Sequence, residues 1–429
     1  MGDLSSAPAQ AITPMTIDLS PYIRPGDLVF VAQLGSAPQN LVKALLAQAE
    51  SLGGVRLLNS FPLDPGEDRL TAPGVGHVSM DGFGIHARLF QAGKLDIVPA
   101  HFSDYATIFD EGHLRPDVVL CSVTPADEAR RRSLGITLDH LRDAMENARV
   151  VLAEESNAMP WTHGDAEISS DFLTAVFSGG SDPYPWVARA PGPVDEAIAA
   201  QVARLVPDRA TIQYGVGATP DAIAAALARH RELGLHSGSV ADSFVDLVEA
   251  GAITNRHKEV DEGFSVVTSL YGSRKLYDFA HRNPRLLMRR GRYTHSAAVL
   301  GNFRRLFAIN SALEVDLTGQ IGSEAAGGKY IGAIGGQVNF QRAGLASPEG
   351  RAIITLGSTA GRNRVSRIVP RLSGPVTTLR ADADVIITEH GMAELRGRSL
   401  AERAEAMIAI ADPEHRTALR AAVERDGLV

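Results

Sequence analysis

Thiols are nearly absent from this chain: Cys121 is the only cysteine in 429 residues. No internal disulfide can form, and a thiolate-held metal cluster is excluded. Cys121 sits in the apolar run Asp117-Val118-Val119-Leu120-Cys121-Ser122-Val123, where a small buried core residue is expected rather than a nucleophile. Positive charge is in deficit. Forty-two Lys and Arg against fifty Asp and Glu give a formal charge of -8. That balance argues against a nucleic-acid surface, which needs a basic face. It still allows an anionic ligand held by backbone dipoles and a few cations. No run reaches the ~18–20 apolar residues of a membrane span. Met1 to Met15 lacks the basic-then-apolar order of a signal peptide, so the cytoplasm is the expected location. The thirteen histidines show no H-x-x-x-H or H-E-x-x-H spacing, so no metal site is expected.

What is present reads as α/β architecture. Short β-branched runs at residues 28–32, 118–123, 150–153, 353–356 and 385–388 alternate with amphipathic helical stretches. Such runs suit strands buried on both faces. The chain also echoes itself. Asp27-Leu28-Val29-Phe30-Val31-Ala32-Gln33-Leu34-Gly35-Ser36-Ala37-Pro38 precedes a helical stretch ending near Leu52-Gly53. Ala210-Thr211-Ile212-Gln213-Tyr214-Gly215-Val216-Gly217-Ala218-Thr219-Pro220 precedes one ending at Leu233-Gly234. Each reads strand, glycine loop, proline in the first helical turn, helix, which suggests two related α/β domains. The densest Gly/Pro stretch, residues 179–193, marks the boundary, giving domains 1–190 and 191–429. A cleft between two such domains is the expected ligand site.

Four segments can carry chemistry. Gly215-Val216-Gly217-Ala218-Thr219-Pro220-Asp221 places glycines between a strand and a helix N-terminus, which suits a binding loop or a plain tight turn. It is neither a Walker loop nor G-x-G-x-x-G. Leu233-Gly234-Leu235-His236-Ser237-Gly238-Ser239-Val240-Ala241-Asp242 leads into a helix with Ser239 or Asp242 as N-cap and Gly251 as its stop. His236 and Ser237 are adjacent on a strand and so face opposite ways, which rules out a cooperating pair. Residues 309–320 put Glu314 and Asp316 on one face, and a turn with hydrogen-bonded acids is expected there. Residues 327–340 hold Gly327, Gly328, Gly332, Gly335 and Gly336, too many to justify by packing. Their backbone N–H groups can hold an oxygen that turns negative.

Together these segments resemble the acetyl-CoA hydrolase/transferase family, which includes the 4-hydroxybutyrate and acetate CoA-transferases. Further resemblance lies at residues 275–284, Arg367-Ile368-Val369-Pro370 and 388–400. It is weaker at Asp96-Ile97-Val98-Pro99-Ala100-His101 and Met159-Pro160-Trp161-Thr162-His163-Gly164-Asp165. The resemblance implies two related CoA-transferase-type (NagB/RpiA-like) α/β domains, coenzyme A as part of an acyl-CoA substrate, a possible small carboxylate partner and a homo-oligomer. It implies that Val216 and Gly217 line the site near the thioester. It also implies that Gly335 and Gly336, with Gln337, hold the carbonyl oxygen.

The departures bear most on mechanism. The family reads His-Thr-Glu or His-Ser-Glu where this chain has His236-Ser237-Gly238, and that glutamate carries CoA between two half-reactions. Gly238 has no side chain to do so. Where the family often has asparagine, this chain has His295 in Tyr293-Thr294-His295. Three functions follow. The first is a CoA-thioester enzyme, such as a hydrolase, with His295 or else His236 as general base and the Gly336 region as oxyanion site. The second is a CoA-transferase whose covalent carboxylate is Glu314 or Glu324. The third is a non-catalytic CoA-binding relative.

Overall fold

The computed structural model describes residues 17–60 and 71–427. The segment Met1 to Met15, read above for a signal peptide, lies outside them. The first sheet is built from β1 (Leu28–Val31), β2 (Val55–Asn59), β3 (Val75–Ser79), β4 (Asp96–Ile97), β5 (Val118–Val123), β6 (Val150–Glu155) and β7 (Ala175–Ser178). Their order is β7-β6-β5-β1-β2-β3-β4, with every neighbour parallel. All six residues of β5 are buried, Cys121 among them, which is why its sequence runs apolar without alternating. Strand β1 shows how a central strand serves two layers. Val29 and Val31 pack with Leu41, Leu45 and Leu46 of helix α1 (Gln39–Gln48), while Leu28 and Phe30 face the opposite layer.

The second sheet comprises β8 (Thr211–Tyr214), β9 (Gly234–Leu235), β10 (Leu306–Ser311), β11 (Arg351–Thr355), β12 (Val385–Thr388) and β13 (Gly391–Glu394). Their order is β9-β8-β10-β11-β12-β13, parallel except for the antiparallel pair β12–β13. Helices α2 (Pro193–Leu205), α3 (Ala218–Leu227), α4 (Asp242–Glu249) and α5 (Gln337–Ala346) accompany it. Residues 179–192 carry neither helix nor strand, and we propose the domain boundary there, near residue 190. The two sheets share one large apolar cluster, to which Phe30 and Val119 contribute from the first and Ile212 and Phe307 from the second. A short strand, His163–Gly164, also runs parallel to Leu286–Met288 from the second half.

The internal echo corresponds to two strand–loop–helix units, β1 with α1 and β8 with α3. The prolines differ in place: Pro38 precedes α1, whereas Pro220 is the third residue of α3. Both positions are tolerated because the first helical N–H groups have no partner within the helix. The helices end earlier than the sequence suggests, at Gln48 and Leu227, and Gly234 belongs to strand β9. Helix α4 is capped by Ala241 rather than Ser239 or Asp242. Asp242 instead accepts the Ser273 N–H at 2.9 Å, a tertiary bond that local sequence does not reveal.

Candidate active site

A cavity of about 560 Å³ collects loops from both sheets. Gln33 comes from just beyond β1, Ser60 from just beyond β2, Met80 from just beyond β3 and Phe102 from beyond β4. Gly215 and Val216 follow β8, Ser311 ends β10 and Ala312 follows it. All of these lie at the C-terminal ends of parallel strands, where open α/β sheets expose backbone and helix N-termini to a ligand. Two such helix starts border the cavity. Gly215 and Val216 precede α3, and Gly336 caps α5. The first N–H groups of each helix lack an internal acceptor and face a developing negative charge favourably. The amides of Gln213 and Asn310, on adjacent strands, bond each other at 3.0 and 3.3 Å and form part of the wall.

His295 stands in this cavity, almost fully buried. The helical turn Gly291–Thr294 delivers it, and its N–H donates to the Gly291 carbonyl at 3.0 Å. Its ring lies between Phe102 and Phe340, with centroids 4.3 and 4.7 Å away. Nδ1 is 2.8 Å from the Thr294 hydroxyl, so Nε2 is the nitrogen turned toward the glycines. A β-carbon built on Gly238 would lie 3.2 Å from Cε1 and 3.3 Å from Nε2, and one on Gly336 closer still. The imidazole therefore fills the space into which a side chain at position 238 would emerge. Burial lowers its pKa to about 3, so the ring is neutral across the physiological range.

The remaining candidates fall into two groups. Gly238, Val216, Gly335, Gly336 and Gln337 join His295 around the cavity. The Gln337 side chain is engaged, however: its oxygen accepts from Ser323 at 2.7 Å and its nitrogen donates to Thr378 at 3.2 Å. Gly217 is not part of the cavity wall; its φ of 130° forms the turn that starts α3. His236 also lies outside, with Nε2 3.0 Å from the Thr294 carbonyl and its ring 5.0 Å from that of Phe303. Ser237 points instead to the Tyr214 carbonyl, as expected for neighbours on an extended strand. Neither Glu314 nor Glu324 lines the cavity. Glu314 accepts bonds from Ser373, and Glu324 from Thr377 at 2.9 Å and Tyr330 at 3.0 Å. Asp316 holds its own turn through Thr318 and Gln320. Among the described residues, no group of three or more His, Cys, Asp or Glu side chains is arranged to hold a metal.

One carboxylate in the cavity escapes sequence reading: Asp139. It is buried, and the Ser269 hydroxyl donates to Oδ1. Burial pushes its pKa up to about 7 against the opposing hydrogen bonds from Ser269 and Tyr271. The available signal was a lone acid in the apolar stretch Leu134-Gly135-Ile136-Thr137-Leu138-Asp139-His140-Leu141.

Two family models cover most of these elements. The acetyl-CoA hydrolase/transferase N-terminal domain matches residues 16–178, and the C-terminal domain of the same name matches residues 272–423. The 4-hydroxybutyrate coenzyme A transferase of Clostridium kluyveri is 36% identical over 401 residues, covering 91% of this chain and 92% of that protein. The chain belongs to the acetyl-CoA hydrolase/transferase family. A second relative, the succinyl-CoA:acetate/propanoyl-CoA:succinate CoA transferase of Fasciola hepatica, is 34% identical, covering 94% of this chain and 86% of that protein. The crystal structure of RipA from Yersinia pestis superimposes with a TM-score of 0.90 at 30% identity, over 96% of each chain. The α/β fold of this acetyl-CoA hydrolase/transferase is thus the CoA-transferase fold over the 96% of the chain that superimposes. Its members are acyl-CoA transferases or hydrolases, so the protein is an enzyme of that class. Among the described residues, no helix is long and apolar enough to cross a membrane.

Proposed function

We propose that this enzyme cleaves acyl-CoA thioesters in the glycine-lined cavity without forming a glutamyl-CoA intermediate, most simply as a hydrolase. The observation that carries this reading is the pairing of Gly238 with His295. No carboxylate projects from position 238, and a neutral imidazole fills the space beside it. An imidazole with so low a pKa is a poor base but a good hydrogen-bond donor to a developing oxyanion. The Thr294 hydroxyl reaches two acceptors, the Arg290 carbonyl at 3.4 Å and His295 Nδ1 at 2.8 Å, and we take the shorter contact as the bond it donates. Nε2 then carries the proton and presents it beside Gly336 and the start of α5. In this role His295 supports the thioester oxygen rather than acting as the base that the sequence suggested. Coenzyme A enters as the thiol half of the substrate.

Transfer of CoA to a small carboxylate is the second reading, favoured by the activities named for the relatives from C. kluyveri and F. hepatica. The test is thiol release from a panel of acyl-CoAs, with and without acetate or succinate, followed by borohydride treatment during turnover. Thiol release without added acid, and no reduced side chain in the digested protein, is the expected result. Turnover only when acid is added, with a reduced carboxylate, would replace hydrolysis by transfer.

A further inference from the structure

A thioester hydrolysed by water requires a group that takes the water's proton, and His295, with its pKa lowered to about 3 by burial, is too weak a base to supply it. The cavity contains another titratable side chain that the family resemblance does not mark. Asp139 touches both sides of the Gly238–His295 pair through single hydrogen-bonded steps. On one side its carboxyl accepts from the Ser269 hydroxyl, while Ser269 N–H and Thr268 N–H donate to the Gly238 carbonyl at 3.1 and 2.7 Å. On the other side its main-chain carbonyl accepts the Gly291 N–H at 2.9 Å, at the start of the turn that delivers His295. The backbone of Asp139 has φ of 33°, a region that non-glycine residues rarely adopt and that clusters at functional sites. The residue is held there with its carboxyl in the cavity wall.

We propose that Asp139 is the proton acceptor of this site: its carboxylate takes a proton from the water that attacks the thioester and returns it to the leaving sulfur. This rests on the hydrolytic reading above. As the water oxygen bonds to the carbonyl carbon, one water proton passes to Asp139 and the carbonyl π pair moves to oxygen. Collapse restores the C=O bond and breaks the C–S bond, whose electron pair leaves on sulfur. The proton on Asp139 then passes to that thiolate. The sum is thioester plus water giving carboxylic acid plus CoA thiol, with Asp139 unchanged.

The surroundings of Asp139 set how it titrates. Ser269 and Tyr271 favour the charged form by hydrogen bonds, and burial opposes it. The Tyr271 phenol, 3.5 Å from Oδ2 and 2.9 Å from Gln33, is kept protonated by its burial and by Asp139 and Asp81. The neighbouring imidazoles of His140 and His295 are kept neutral by burial. Among the described residues no Lys, Arg or His forms an ion pair with this carboxyl. A group poised near neutrality beside a group that stays neutral is the arrangement by which one site separates base from donor.

The experiment compares the pH profile of kcat for thiol release by the full-length wild type, Asp139→Asn and Ser269→Ala, with CoA affinity measured by calorimetry. In the wild type kcat is expected to rise with pH through an inflection near the Asp139 value of about 7. Asp139→Asn keeps the shape of the side chain and loses the base. It should lower kcat at pH 8 by about 100-fold or more, abolish the inflection and leave the CoA dissociation constant within about threefold. Ser269→Ala removes a bond that favours the charged form, so the inflection should move to higher pH. That variant retains the carboxyl and carries the test should Asp139→Asn not fold. An Asn variant that keeps the wild-type profile, or an unmoved inflection in Ser269→Ala, would overturn the assignment while leaving hydrolysis standing. Borohydride reduction of Asp139 itself would make it a nucleophile and overturn the assignment too. A wild type that releases no thiol from any acyl-CoA removes the hydrolytic reading and this inference together.

Discussion

Nε2 of His295 lies 3.3 Å from the point where a β-carbon on Gly238 would stand. The two residues divide one space: an imidazole enters it from a helical turn, and glycine leaves it open from the strand side. Gly238→Glu alone should therefore be destabilising, by about 1–3 kcal/mol as overpacking generally is. Adding His295→Asn should recover most of that loss, with a coupling of about 1 kcal/mol or more between the sites. Denaturant midpoints of the wild type, both singles and the double variant measure it, and strictly additive effects would contradict the shared space. The double variant also returns a carboxylate to the cavity, and borohydride should label Glu at 238 during turnover with acetyl-CoA.

The His295 side chain itself is expected to act on turnover more than on binding. His295→Ala should lower kcat by about 10²–10³-fold, the usual loss on removing one oxyanion donor, and change the CoA dissociation constant little. His295→Gln, which keeps an N–H donor, should retain more activity than the alanine variant. Equal activity in wild type and alanine variant would remove this residue from the reaction.

Acid should unfold the protein earlier than its carboxylates alone require. Burial holds His140, His236 and His295 at about 3, below the ordinary 6.5. Below pH 6.5 the unfolded chain takes up protons that the folded chain refuses. The stability these groups contribute is thus complete above pH 6.5 and lost as pH falls toward 3. Asp139, raised from 3.8 to about 7, acts in the opposite sense over much of that window. Asp143, Glu154 and Asp221, also raised by burial, act as Asp139 does, whereas Asp195 and Asp412, held low by hydrogen bonds that outweigh their burial, act with the imidazoles. Both ring nitrogens of His140 lack a hydrogen-bond partner, and its ring packs 4.1 Å from that of Phe102. His140→Phe should therefore raise stability at pH 5 by about 1 kcal/mol or more and flatten the pH dependence of the melting temperature. A lower melting temperature at pH 5 would contradict this account.

Glu314 and Glu324 are structural acids in this arrangement. Glu314→Gln weakens the bonds to Ser373, so it should cost about 1–2 kcal/mol in denaturant unfolding. It should leave the rate of thiol release within about threefold of the wild type. Glu324→Gln should behave likewise through Thr377 and Tyr330. A hundredfold loss in either would return these residues to the candidate chemistry.

The legible parts of this protein are those set by local pattern. Strands such as Val118–Val123 and Val385–Thr388 announce themselves by uninterrupted β-branched residues. The glycines before α3 and α5 announce backbone that a ligand can approach. Gly238 and His295 stand 57 positions apart, and only the family resemblance brings them to one site in the sequence; nothing local shows that they meet, because tertiary packing joins a helical turn to an extended segment. Asp139 was harder still. Its importance comes from the burial of an acid at a positive φ, and neither leaves a periodic trace in sequence. The hydrogen-bonded acids expected at Glu314 and Asp316 are found, Asp316 within its own turn and Glu314 on the distant Ser373, a partner that short-range spacing does not reveal.

The strand His163–Gly164 has a consequence for how such proteins can diverge. It lies beside Leu286–Met288, so a segment from one half completes a sheet belonging to the other. A chimera that joined residues 1–190 of this chain to the second half of a distant relative would have to match that seam as well as the shared apolar layer. Exchange of halves between lineages is penalised in folding before catalysis is tested, and the two halves are bound to change in step.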